Sequence, residues 1–240
     1  MSTIDSHLTL AELVTTHPEF AAPLDALGLD FCCGGQQRLD EAVFEAGLDL
    51  EAVTAELAAT VPTTVAGAEP EWEGMAGLVD HLESTHHAYL RVALPRLAAL
   101  ADKVAGVHGA NHPELVEVVS LVREIRADLE PHLGKEEQVL FPMIRELAAA
   151  TTAPAFHCGS LANPVRVMLD DHDRVGDLLA AIRAATGQYR VPDDGCGSYH
   201  ALYSGLAELE ADTHIHVHKE NNELFPMVLE AENALTAAAR

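Results

Sequence analysis

His132 and Glu136 stand four residues apart in His132-x-x-Lys-Glu136, followed by Leu140-Phe141-Pro142-Met143. The same pattern returns as His216-x-x-Lys-Glu220 with Leu224-Phe225-Pro226-Met227. Residues four apart share one face of an α-helix, so each histidine and its glutamate can reach the same metal ion. Single histidines precede the two copies at matching intervals, His87 before His132 and His172 before His216. The chain reads as two copies of a helix-pair unit, each supplying two imidazoles and one carboxylate. Converging inside a helical bundle, these six side chains are a ligand set for two metal ions. Buried without a cation, each unsatisfied polar group would cost about 1–3 kcal/mol.

Two bridging carboxylates and four imidazoles give each ion four protein donors. An oxo or hydroxo bridge adds a fifth and leaves one position per ion open in octahedral geometry. Mixed histidine and carboxylate donors with open positions suit non-haem iron, with manganese or zinc as alternatives. The absence of cysteine from the set argues against an iron–sulfur cluster there. Ferritin-like di-iron oxidases carry more anionic ligands, so this set should hold ferric iron less strongly, which favours reversible ligand binding or iron release. Register selects His216 over His214 and His218, because only His216 pairs with Glu220 as His132 does with Glu136. Between His86 and His87, periodicity alone leaves both open.

Asp128, Asp212 and Glu83 lie four residues before His132, His216 and His87, where each could accept the outer N–H of its histidine. Asp171, beside His172, is a further acidic neighbour. His81, His108, His112, His157 and His200 read as surface or structural residues. Lys135 and Lys219 read as side chains snorkelling outside the core.

The elements that must position these residues follow from apolar spacing. Steps of three and four predict long helical segments from about residue 73 to 104, from Pro113 onward, from an N-cap at Asn163 ahead of Pro164, and from about 198 to 231. The expected inward stripes include Val118, Val122, Ile125 and Leu129 in the second, Val165, Leu169, Val175 and Leu179 in the third, and Leu206, Leu209, Leu224 and Met227 in the fourth. No segment alternates as a strand would, so the fold class is all-α with a four-helix bundle. Residues 1–60 form a small helical module: Thr9-x-x-Glu12 is a capping box, Pro18 limits the helix it opens, and Gly28, Gly34 and Gly35 mark turns around Cys32-Cys33. Residues 61–71, rich in Pro, Gly and Thr, read as a linker, and 72–240 as the bundle domain.

At 240 residues with 48% hydrophobic content the chain can build one substantial core plus a module. Its net charge of −24 repels phosphate backbones, so nucleic acid is not an expected partner. No apolar run reaches membrane-span length, and MSTIDSHLTL lacks the order of a secretion signal, so a cytoplasmic location is expected, with no membrane partner. Four cysteines are too few for a disulfide scaffold and fit a reducing compartment.

With these residues in place, the chain resembles the repair-of-iron-centres family (YtfE/ScdA type), di-iron proteins with a haemerythrin-like bundle. The resemblance covers nearly the full length. It is carried by Leu29-Asp30-Phe31-Cys32-Cys33-Gly34-Gly35, which is similar to the family's ScdA-type amino-terminal domain. It is carried also by Asp80-His81, His87, Leu94-Pro95, the segment from His132 to Met143, Asp171-His172-Asp173, and the segment from His216 to Pro226. The resemblance implies iron ligation by His87, His132, His172 and His216, with Glu136 and Glu220 bridging. It places the family's acidic neighbours on Asp128 and Asp171. It implies repair of iron–sulfur clusters damaged by nitric oxide or oxidants, through iron donation, with damaged iron–sulfur proteins as partners and Cys32 and Cys33 as a thiol site. It implies a binding and delivery protein rather than a turnover enzyme. The alternatives are a di-iron enzyme acting on nitric oxide, nitrite or peroxide, and a haemerythrin-like sensor of O2. Assembly as a homodimer is compatible with all three.

Overall fold

A computed structural model describes residues 4–60 and 72–238. The expected linker at 61–71 lies outside the described residues. The amino-terminal module opens with α1 (Leu10–Thr16), whose capping box is formed: the Thr9 side chain accepts from the Glu12 N–H, and Glu12 accepts from the Thr9 N–H at 2.9 Å. Pro18 stops this helix and starts a single 3-10 turn, Pro18–Phe20, which runs into α2 (Ala21–Leu27). Gly28 at φ 71° ends α2 in the left-handed conformation that suits glycine. α3 (Leu39–Glu45) and α4 (Leu50–Thr60) complete the module. Leu10, Leu24, Phe31, Leu39 and Leu57 fill its core, and Val217 of the bundle joins them.

The bundle is built from α5 (Gly74–Leu82), α6 (Ala88–His108), α7 (Glu114–Lys135), α8 (Phe141–Ala149), α9 (Ala162–Ala185), α10 (Gly197–Lys219) and α11 (Phe225–Ala238). Among the described residues there is no strand, only one isolated bridge between Thr9 and Arg38. α6 packs on α7 and α10, and α9 packs on α7 and α10, closing a square of four helices. α5, α8 and α11 continue three of the four columns beyond wider π turns at Glu83–His87, Glu136–Leu140 and Glu220–Leu224. In each, an i→i−5 bond replaces the α-helical one: Ala88 N–H donates to Glu83 O, Phe141 N–H to Glu136 O, and Phe225 N–H to Glu220 O. The repeated Phe-Pro explains two of them. A proline at 142 or 226 cannot donate, and its ring would press on the carbonyl four residues back in a straight α-helix. Widening the turn relieves that clash. π turns of this kind concentrate at functional sites, and all three here carry a candidate ligand.

The apolar core is divided in two. Leu90, Leu97, Val122, Leu129, Leu133, Val175 and Leu209 form one block. Leu78, Leu82, Leu140, Phe141, Ile144, Met168, Leu224 and Val228 form the other. The candidate ligands lie between them. Two expectations about the stripes are corrected. Met168, not Leu169, is the buried residue on α9. Val228, one helical turn past Leu224, is the buried residue of the last stripe, and Met227 is only partly buried against the same block. α9 also starts earlier than expected, at Ala162, and the Asn163 amide donates to Cys158 O at 2.9 Å from within the first turn.

Candidate metal centre

Each of the six ligand candidates is at most 1% exposed. One ligand atom from each of His87, Glu136, His216 and Glu220 lies within 4.8 Å of the others, and the same holds for His132, Glu136, His172 and Glu220. Two four-residue groups therefore share both glutamates. His132 and Glu136 come from α7 and its π turn, and His216 and Glu220 from α10 and its π turn. His87 closes the π turn before α6, and His172 sits mid-way along α9. Of the two histidines that periodicity leaves open, His87 is the one gathered into this group. His86 faces away from this group, stacks on His216 with ring centroids 5.5 Å apart, and meets Asp212 through Nδ1 at 3.0 Å.

The outer ring edges identify the tautomers. His87 Nδ1–H donates to Glu137 at 3.0 Å, His132 Nδ1–H to Asp171 at 3.2 Å, and His172 Nδ1–H to the Asn221 carbonyl oxygen at 2.7 Å. A neutral ring that donates through Nδ1 keeps a bare lone pair on Nε2. Yet His132 Nε2 and His172 Nε2 stand 3.1 Å apart, and His87 Nε2 lies 3.5 Å from Glu136. Both Glu136 oxygens and Glu220 Oε2 lack a hydrogen-bond donor among the described residues. Lone pairs facing lone pairs in a dry interior repel one another. Cations between them convert the repulsion into coordination, and the donor set fits a metal on that ground.

Electrostatics divide the rings. Burial pushes the His87 and His132 imidazoles down to about 4, so both are neutral, the form that binds metal. Burial lowers His216 too, but the Glu220 charge beside it outweighs burial and raises that imidazole. Burial and the neighbouring Glu220 charge push Glu136 well above the carboxylate range. Burial favours neutral Glu220 too, but the His216 and His172 rings outweigh it and hold that carboxyl well below its ordinary value. Phe141 stacks on His87 at 5.3 Å and Phe225 on His172 at 6.1 Å, so the repeated Phe of the two motifs walls the centre symmetrically.

The expected outer partners are largely reassigned. Asp128 pairs with Arg174 at 2.7 Å instead of holding His132; Asp171 takes that role and is itself paired with Lys135 at 2.7 Å. Glu83 pairs with Arg145, and Glu137, bridged to Arg91 at 2.6 Å, holds His87 in its place. Asp212 holds His86, and His216 Nδ1 has no hydrogen-bond partner among the described residues. The reason is geometric. A ring aimed at the bundle axis turns its outer edge toward the adjacent helix, not back along its own backbone. Lys219 is also reassigned: it is buried against Trp72, His81 and His86.

Two further histidines of α10, His214 and His218, dock the amino-terminal module. His214 meets Asp25 at 2.7 Å, and His218 contacts Thr15 Oγ1 at 3.1 Å and the Phe31 carbonyl at 3.2 Å. The docked module brings the Cys32-Cys33 turn against the metal layer. The Asp30 carboxylate gathers the N–H groups of Cys32, Cys33 and Gly34 at 2.9–3.0 Å. Asn222 donates to the Cys32 carbonyl at 3.0 Å. Both thiols are free. The hydrogen bond to Cys33, together with burial, holds the Cys32 thiol well above its ordinary range, so Cys32 stays protonated. A cleft of about 600 Å3 between module and bundle is lined by Cys32, Cys33, Asp173, Asp177 and His214. Asp30, Cys32 and Cys33 form a third group of potential donors.

Residues 77–228 match the family described as Hemerythrin HHE cation binding domain, and residues 7–61 match a domain of unknown function, DUF542, also called ScdA_N. The fold is thus a haemerythrin-like bundle with a small helical amino-terminal domain. The chain is 37% identical to the iron-sulfur cluster repair protein YtfE of Cronobacter sakazakii, covering 93% of this chain and 96% of the relative. It is 35% identical to the protein of that name from Escherichia coli O157:H7, over 93% and 97% of the two chains. With the iron-sulfur cluster repair protein ScdA of Staphylococcus haemolyticus it shares 31% identity over 92% and 98%. Matched along nearly its whole length, with the repeated histidines and glutamates gathered in one buried layer, the chain belongs to the YtfE/ScdA family of iron–sulfur cluster repair proteins.

Proposed function

We propose that the chain holds two non-haem iron ions between His87, His132, His172, His216, Glu136 and Glu220, and delivers iron to damaged iron–sulfur clusters. The observation that carries this reading is the confrontation of bare imidazole lone pairs with orphaned carboxylate oxygens in a buried layer. Two shared glutamates suit a carboxylate-bridged pair, completed by an oxo or hydroxo group. Iron held by these residues would offer a binding position to a small ligand such as nitric oxide or O2. The protein's own contribution is fixed ring orientation through Glu137, Asp171 and Asn221, and exclusion of water by Phe141 and Phe225. With two carboxylates as its anionic protein ligands, a ferric pair would be incompletely neutralised, which favours release. Asp30, Cys32 and Cys33, on the wall of the cleft, offer a nearby stopping point for a departing ion or for damaged-cluster chemistry. Damaged iron–sulfur proteins are the partners this reading requires.

The test is transfer of isotopically labelled iron from the loaded protein to a metal-free iron–sulfur enzyme in the presence of a chelator. Label should enter the enzyme and restore its activity at chelator concentrations that intercept free ferrous salt. Label captured wholly by the chelator, with activity never returning, would sink the donor reading. Multiple-turnover consumption of nitric oxide by the reduced protein would favour the enzyme instead.

A further inference from the structure

The residue after the shared glutamate differs between the two halves of the repeat: Glu137 comes after Glu136, but Asn221 after Glu220. Both accept a hydrogen bond from the outer nitrogen of a candidate ligand, His87 in one case and His172 in the other. Their other ends diverge. Glu137 turns to Arg91 at 2.6 Å, whereas the Asn221 amide nitrogen donates to the Cys32 carbonyl at 3.4 Å. An ionised carboxylate has no donor, so only an amide can hold an imidazole with one end and a backbone carbonyl with the other. That donor role also orients the amide, leaving its oxygen for His172. The Cys32-Cys33 turn moves as a unit, because Asp30 ties together three of its N–H groups. Its other wall is α9 itself: a Cβ placed on Gly176, one helical turn beyond His172, would lie 4.0 Å from Cys33 Sγ.

We propose that Asn221 is a positioning residue coupling the Cys32-Cys33 turn to the His172 imidazole, so that metal occupancy and the reactivity of the thiol pair govern each other. This inference rests on the di-iron reading above. Filling the site fixes His172, which fixes Asn221 and with it one of the two amide contacts on the Cys32 carbonyl, the other being that of Asn222 at 3.0 Å. By linkage, displacing the turn loosens His172 and weakens the metal. The pseudo-symmetric half of the molecule has no such connection, since its carboxylate ends on an arginine.

The experiment uses the full chain, metal-free and loaded with ferrous iron, and follows maleimide labelling of Cys33 by peptide mass spectrometry, with Cys196 as an internal control. In the native protein, iron should slow Cys33 labelling by about fivefold or more and leave Cys196 unchanged. Asn221→Asp keeps an acceptor for His172, and a carboxylate there raises the basicity of the ring, but it loses the donor to Cys32, so it should bind iron at least as tightly as the native chain while the labelling difference disappears. Asn221→Leu loses both ends and should also weaken iron binding by about 10–100-fold. Labelling Cys33 should shift the visible absorption of the iron-loaded native protein and leave that of the Asp variant unmoved. Two irons per chain with equal labelling rates in both states would overturn the coupling and leave the di-iron reading standing. A labelling difference that survives in Asn221→Asp would overturn it as well. Failure to take up iron at all would remove both.

Discussion

His132 and Asp171 show how much rests on single contacts. Asp171 orients the ring and raises its basicity from a neighbouring helix, whereas Asp128, on the same helix and at the favourable spacing, is engaged by Arg174. Asp171→Asn should therefore weaken metal binding by about 10–100-fold, and Asp128→Asn should leave it unchanged, as measured by iron titration of the metal-free protein. The opposite ranking would restore the same-helix partner. Among the ligands themselves, His132→Ala and Glu220→Ala should each reduce bound iron below two per chain by metal analysis. Glu220→Ala should be the more damaging, because Glu220 belongs to both donor groups.

At the level of elements, the π turns and the docked Cys-Cys turn set the geometry. Each π turn widens the helix at a ligand and rotates the residues after it, which lets one column serve the metal layer and a second apolar block. Gly35 is the tight point of the amino-terminal turn. A Cβ there would lie 2.4 Å from the Phe31 carbonyl, 3.0 Å from Ala11 Cβ and 3.1 Å from the Asn222 amide. Gly35→Ala should cost about 1–3 kcal/mol, visible in denaturant unfolding, and should expose Cys33 to labelling. A variant with unaltered stability and labelling would show that the turn is looser than its contacts imply.

For the whole molecule, the metal layer is a seam of buried polarity between two apolar blocks, so metal and fold are linked. Stripping iron with a chelator should lower Tm by about 5–10 °C and ferrous salt should restore it. No change on stripping would mean that the seam is self-satisfied. The far end of the bundle should be indifferent to this. There exposed Cys196 occupies the N-cap position of α10 with its thiol 3.1 Å from His108 Nε2, and that hydrogen bond, with nearby backbone N–H groups of α10, lowers its pKa to about 7. Alkylation of Cys196 should thus rise steeply through pH 7 and flatten above it. His108→Ala should move the midpoint toward the ordinary thiol value of 9.0, and iron should alter neither profile. No helix among the described residues is long and apolar enough to cross a membrane.

The all-α class, the doubled helix pair and the six ligand candidates were legible in the sequence, because each depends on spacing within one helix. An i,i+4 histidine and glutamate face the same way whatever the helix packs against. The capping box at Thr9 and the stop at Pro18 were legible for the same local reason. What stands opposite a side chain is not written in its own helix. The choice of His87 over His86, the exchange of Asp128 for Asp171 and of Glu83 for Glu137, and the burial of Lys219 all depend on which neighbour arrives across a gap. So does the docking of the Cys32-Cys33 turn through Asn221 and Asn222. The Phe-Pro pairs are a further local signal: a proline shortly after each glutamate marks a π turn. Helical periodicity determined which residues could bind metal. Only the packing of the four columns on one another and on the amino-terminal module decided what orients them, because hydrogen-bond partners of inward-facing rings come from other helices.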